Sequence, residues 1–132
     1  MALVVLDTDV TSRVIKGTLP DSLAAKLVGK QMIVSFVTVG ELSRWTVLRD
    51  LGERRRTLVE SWITSASIGA GLEVARKWGE ITAYAQLRGR PRPLDDSWIA
   101  ACCLAYELPL VTLNVKHFED FAEHEGLEII TA

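Results

Sequence analysis

An α/β fold, with a mostly parallel central sheet flanked by helices, is predicted by three features of the sequence. Short apolar runs at residues 3–6, 32–36, 110–113 and 127–130 are separated by stretches of helical periodicity. Those runs are mostly apolar rather than alternating, the pattern of strands buried on both faces. The chain has 132 residues, 48% of them hydrophobic, with a mean hydropathy of +0.19. That is enough for one compact core and too little for two, so a single domain over residues 1–132 is expected.

The first strand, Leu3-Val4-Val5-Leu6, ends at the carboxylate of Asp7. Short helices follow at residues 11–16 and 21–29, with Pro20 in the junction and Asp21 placed to cap the second. Residues 32–36 form a second apolar run rich in β-branched side chains. Thr38-Val39-Gly40-Glu41 then opens a helix to about residue 50, with Leu42, Trp45, Leu48 and Leu51 along one stripe. Another helix covers residues 53–64, and a weak strand lies at 65–68. In the long helix at 71–87, Val74, Trp78, Ile81 and Ala85 share a face. Two prolines and a glycine make residues 88–93 a loop. Asp96 begins an almost wholly apolar helix through Trp98 to Tyr106, and the runs at 110–113 and 127–130 are the closing strands. Right-handed crossovers are the default for such a sheet.

Composition narrows the function. A formal net charge of −2 rules out a uniformly basic nucleic-acid binder, so any nucleic acid must meet a local basic patch. The apolar run at residues 2–6 is far too short to span a membrane and has no basic segment before it, so no membrane anchor or signal peptide is expected. Cys102 and Cys103 are adjacent within an apolar helical run. Neighbours on a helix do not face each other, and no zinc-ligand spacing is present, so both read as small buried hydrophobes. A cytoplasmic protein of a reducing compartment is expected.

The carboxylates carry the chemistry. In open parallel sheets, ligands bind beyond the carboxyl ends of the strands. Asp7 directly follows the first strand, Glu41 lies in the first turn of the helix after the second, and Asp96 starts a helix ahead of a third, which Asn114 follows. Each also has a structural reading. Thr38-x-x-Glu41 fits a capping box, Asp95 or Asp96 fits a helix N-cap, and Asp7 and Asp9 fit a turn after the first strand. Convergence at one sheet edge favours a joint role. Carboxylates ~4 Å apart repel by about 4 kcal/mol per pair at an effective dielectric of ~20. A divalent cation with oxygen ligands relieves this at neutral pH, and without a cysteine–histidine set the cation is Mg²⁺ or Mn²⁺ rather than zinc.

The stretches Val5-Leu6-Asp7-Thr8-Asp9, Val37-Thr38-Val39-Gly40-Glu41-Leu42, Gly89 through Ala101 (GRPRPLDDSWIAA) and Leu110 through Phe118 (LVTLNVKHF) together resemble the PIN domain, in particular toxins of the VapC type. The resemblance spans nearly the whole chain in order and spacing. It implies a parallel sheet flanked by helices and a Mg²⁺- or Mn²⁺-dependent RNA-cleaving site. Asp7, Glu41 and Asp96 match the family's acidic positions, with Asp96 rather than Asp95 at the family's distance from Ile99-Ala100-Ala101. Thr112 and Asn114 match its supporting polar positions. Two positions depart: His117 stands where many relatives carry an acidic residue, and Asp9 where asparagine or serine is common. His117 therefore has three readings, as metal ligand, phosphate contact or loop residue. For Asp9, a turn or cap role is favoured over an outer carboxylate.

The implied reaction is endonucleolytic hydrolysis of RNA by a metal-activated water, with Thr8, Thr112 and Asn114 orienting ligands and water. Positive charge for RNA is expected from Arg13, Lys16, Arg88, Arg90, Arg92 and Lys116; Arg54-Arg55-Arg56 reads as a solvated helix face. Trp45, Trp62, Trp78 and Trp98 read as packing residues. The resemblance also implies a homodimer and a small cognate antitoxin seated on the helical surface of residues 38–64. Two other classes fit parts of the sequence. Asp7-Thr8-Asp9-Val10-Thr11 fits the D-x-D-x-T opening of haloacid-dehalogenase-type phosphatases, but Asp95-Asp96 precede Val111-Thr112, the wrong order for that family. A non-catalytic PIN-like binding module is the other alternative, and the intact Asp7, Glu41 and Asp96 argue against it.

Overall fold

In the computed structural model, which describes residues 2–132, four strands alternate with seven helices. The order is β1 (Leu3–Leu6), α1 (Thr8–Lys16), α2 (Asp21–Lys26), β2 (Gln31–Val34), α3 (Phe36–Leu48), α4 (Glu53–Ala66), α5 (Leu72–Leu87), α6 (Leu94–Ala105), β3 (Leu110–Val111), α7 (Val115–Glu125) and β4 (Ile129–Ile130). The sheet runs β2-β1-β3-β4, and every pairing is parallel. This is the predicted fold class.

The continuous apolar runs follow from that order. β1 is flanked by β2 and β3, and successive side chains point to opposite faces of a strand. Val4 and Leu6 enter one core with Val10, Leu23 and Leu27 of the α1–α2 side. Val5 enters the other, built by α5, α6 and α7 around Val74, Ile81, Ile99, Phe118 and Phe121. β3 divides in the same way: Leu110 joins the second core and Val111 the first. Each large side chain removed from water contributes roughly 1.5–3 kcal/mol. Cys102 and Cys103 are buried free thiols within α6, packed as small hydrophobes. Burial pushes the Cys102 thiol up to about 11 and that of Cys103 further in the same direction, so neither ionises at neutral pH.

Several boundaries differ from the sequence reading, each for a local reason. α3 begins at Phe36, two residues early, because the Ser35 hydroxyl caps it by accepting from the Thr38 amide at 3.5 Å. Thr38 is therefore inside the helix, the capping box is not formed, and Glu41 lies in the second turn instead of the first. α6 likewise begins at Leu94, after Pro93, so Asp95 and Asp96 occupy its first turn and neither is the N-cap. The expected strand at 65–68 reduces to one bridge between Val34 and Ser67. β3 and β4 are two residues each, because the chain turns into α7 and out of it. α7 itself is unassigned in the sequence reading. Val115, Phe118, Phe121 and Ala122 recur at helical spacing, and Gly126, at φ 74°, ends the helix in the left-handed region that glycine adopts without strain. Among the described residues, no helix is long and apolar enough to cross a membrane.

Candidate active site

The register of the sheet builds the site. Leu6 lies level with Val34 on one side and Val111 on the other, so Asp7, Ser35 and Thr112 emerge together at the carboxyl edge. Asp7 is held there on both carboxylate oxygens. It caps α1, accepting from the Val10 amide at 2.9 Å through Oδ1, while Oδ2 accepts from the Thr112 hydroxyl at 2.5 Å. Thr112 in turn accepts the Asn114 amide at 3.0 Å. Ser35, capping α3, sets the phase that presents Glu41, and the hydroxyls of Thr8 and Thr38 meet at 3.0 Å to lock α1 against α3. The cap role expected for Asp7 and the shared-edge role thus coexist in one side chain.

A pocket of about 180 Å³ is lined by Asp7, Thr8, Asp9, Glu41, Asp96, Ile99, Asn114, His117 and Phe118. Three of its carboxyl groups are shifted upward. Asp7, only 4% exposed, is raised chiefly by burial; the Thr112 and Val10 bonds oppose this, while Asp9 and Asp96 add to it. Glu41 is raised by burial, then by Asp95; the Thr8 hydroxyl partly offsets this, and Asp96 and Asp7 add to it. Asp96 is raised by burial, lowered by His117 and raised by Asp95. The His117 Nδ1 stands 3.5 Å from Asp96 Oδ2, on a largely exposed ring. The ligand oxygens of these three carboxyl groups do not all lie within 4.8 Å of one another. All-oxygen donors, each disfavoured as an anion and sharing a space that admits an ion with water, fit a hard divalent cation.

Among the described residues, one set of metal-type ligands does lie within 4.8 Å: Asp120, Glu123 and His124 on α7. It is separate from the pocket, and Asp120 already accepts from Arg92 and faces His124 at 3.3 Å.

The predicted basic residues divide. Arg92 does not face solvent: its side chain is 5% exposed. Its guanidinium donates to Asp120 at 2.7 Å and to both Glu125 oxygens at 3.1 and 2.8 Å, and lies 4.0 Å from the Phe121 ring centroid. The RNA-binding reading of Arg92 is therefore corrected: it clamps the 88–93 loop to α7. Arg88 stands 3.8 Å from the same two acids, and Arg13 bonds Asp9 one turn away at 3.1 Å. Lys16, Arg90 and Lys116 are exposed. A groove of about 480 Å³ continues from the pocket through Thr8, Asp9 and Glu41 and adds Arg44 and Arg49, which the sequence reading did not single out. Arg44 lies three residues beyond Glu41 in the same helix, the spacing that marks a shared face. A second groove, of about 530 Å³, shares Asp96 and His117 with the pocket and holds Arg90 and Lys116 beside Glu119, Asp120 and Glu123. Trp78 stacks on Trp98 at 4.6 Å, with Phe36 edge-on, and Trp62 packs on the α1–α2 core. Trp45 packs on Leu42 with the Lys16 ammonium 5.2 Å above its ring.

The family model for the PIN domain matches residues 4–126. The chain belongs to the PIN-domain family. No curated protein sequence matches it, but solved structures do. A chain of the DNA-bound VapBC of Salmonella typhimurium superposes with a TM-score of 0.82 at 25% identity, covering 99% of this chain and 98% of that one. A chain of VapBC-5 from Mycobacterium tuberculosis, a member of the VapBC family of toxin–antitoxin systems, gives 0.71 at 26% identity, with both chains covered in full at 100%. VapBC2 of Rickettsia felis, bound to a DNA fragment from its promoter, gives 0.80 at 19% identity over 98% of each chain, a likeness of fold. Within this PIN domain, the acidic pocket lies beyond the carboxyl ends of the strands, where open parallel sheets place their ligands.

Proposed function

We propose that this PIN domain is a Mg²⁺- or Mn²⁺-dependent endoribonuclease acting as the toxin of a toxin–antitoxin pair. The observation that carries the reading is the shared pocket of Asp7, Glu41 and Asp96, three carboxyl groups each raised chiefly by burial and further by neighbouring acids. Such a set is matched to a cation. When bound, Mg²⁺ or Mn²⁺ supplies an acidified water and neutralises charge on the phosphate.

The chain's own residues do the rest. Asp7, Glu41 and Asp96 would hold the ion. Thr112 fixes Asp7 through one oxygen while Val10 fixes the other, so Asp7 meets the ion in one orientation. Thr8 is held by its bond to Thr38 and bonds the Glu41 carboxyl. Asn114 lines the pocket beside His117, where its amide can orient water or phosphate. Hydrolysis of RNA by the purified protein, abolished by EDTA and restored by Mn²⁺, is the expected result. RNA binding without cleavage assigns a non-catalytic module, and phosphomonoester hydrolysis with RNA intact assigns a phosphatase.

The antitoxin partner is expected on α3 and α4, where Val47, Leu48 and Leu58 are exposed apolar side chains. A homodimer and a cytoplasmic location complete the proposal; light scattering of the purified chain tests the former.

A further inference from the structure

We infer that a single-stranded nucleic-acid backbone reaches the acidic pocket along the groove between α1 and α3, held by Lys16, Arg44 and Arg49, and not along the 88–93 loop. The inference takes its ligand class from the nuclease reading and adds the path. Two grooves open from the pocket, and their charges differ. On the α1–α3 side, Lys16, Arg44 and Arg49 stand against Asp9 and Glu41; Arg13 pairs with Asp9, and Glu41 belongs to the pocket itself. All three cations are exposed, and among the described residues none of them is in an ion pair with an acid. On the other side, Arg90 and Lys116 face Glu119, Asp120 and Glu123, while Arg92 and Arg88 are engaged by Asp120 and Glu125. A polyanion approaching that side meets at least as much negative charge as positive. Asp7 is nearly fully buried, so a phosphate must descend into a narrow recess, which a flexible single strand does more readily than a stiff duplex.

The test is fluorescence anisotropy of a labelled, unstructured RNA 12-mer (a ~12-nucleotide probe sized to a single-strand site) with the full chain in EDTA, across a salt series. Three phosphate contacts predict a slope of log affinity on log salt of about −2, and each of Arg44→Ala and Arg49→Ala should flatten it by about 0.7. Both variants should weaken binding several-fold at moderate salt with unchanged melting temperature, while Arg90→Ala and Arg54→Ala should change little. Wild-type affinity and slope in Arg44→Ala and Arg49→Ala overturn the inference, as does an equal or larger loss in Arg90→Ala. The same follows if those two variants release a co-purifying protein partner yet bind RNA normally, which would give the groove to that partner. A chain that binds in this pattern but never cleaves keeps the groove and removes the nuclease reading. One that cleaves RNA with unchanged kcat/KM in both variants keeps the nuclease and removes the groove.

Discussion

The Thr112 hydroxyl donates to Asp7 Oδ2 at 2.5 Å across 105 positions of sequence, joining the ends of β3 and β1 at the point where the acidic pocket begins. Both groups are buried, so Asp7 is oriented by the sheet itself, and a change at Thr112 acts on the pocket without touching a ligand. Thr112→Val should leave the fold intact and lower cleavage about ten-fold, within the 10–100-fold range for a partner that orients a metal ligand. Equal activity in Thr112→Val and wild type removes that role.

Asp7→Asn separates chemistry from folding. The amide retains an acceptor for the Val10 N–H and removes a carboxylate that burial disfavours. Cleavage and growth arrest should fall by about a hundred-fold or more, with a melting temperature equal to or above that of the wild type. Asp96→Asn should behave alike, whereas Asp7→Ala also loses the cap, at about 1 kcal/mol. Full toxicity of Asp7→Asn and Asp96→Asn contradicts the assignment.

Stability without metal should fall as pH rises. Asp7, Glu41 and Asp96 all have folded values above those of the unfolded chain, so the native state binds more protons in the window above pH ~4, and the slope of stability on pH is negative there. Divalent cation reverses this. At a concentration of about 100 times its Kd, Mn²⁺ should add about 2.7 kcal/mol near neutral pH, and less near pH 4, where protons compete for the same oxygens. Thermal melts with Mn²⁺ or EDTA at both pH values check this; an Mn²⁺ gain that is larger at low pH refutes it.

Arg92 makes the opposite pH prediction. Burial raises the Asp120 carboxyl, but the Arg92 bond together with the charges of Arg92, His124 and Arg88 holds it below the ordinary range, so this contribution is present above the unfolded value and is lost as pH falls through the folded one. Arg92→Ala, leaving the mostly enclosed Glu125 with Arg88 alone at 3.8 Å, should cost about 2–3 kcal/mol, below the 3–5 of a fully buried pair because Asp120 is partly exposed. Arg92→Lys should recover little, lacking the forked donors that reach Asp120 and Glu125 together. Urea titration of the three proteins decides it.

His117→Asp should tighten Mn²⁺ binding, because a carboxylate would replace a ring now 3.5 Å from Asp96. Calorimetry showing unchanged or weaker affinity refutes this.

By itself, the sequence determined the fold class, the positions of the four sheet strands and the order of the three acids, because these depend on local patterns. An apolar run must be buried on both faces, and a carboxylate closing such a run must lie at a strand end. The amphipathic spacing of Val115, Phe118 and Phe121 was also present in the sequence, although α7 was not assigned from it. Tertiary structure decided which polar groups meet. Ser35 displaced Thr38 as the cap because the strand ended two residues earlier than its hydropathy implied. Arg92 was indistinguishable from Arg90 in a basic loop until Asp120 and Glu125, 28 and 33 residues away, enclosed it. Charge in a sequence carries no partner; only packing at fixed distances determines whether a guanidinium is free for a ligand or held within the fold.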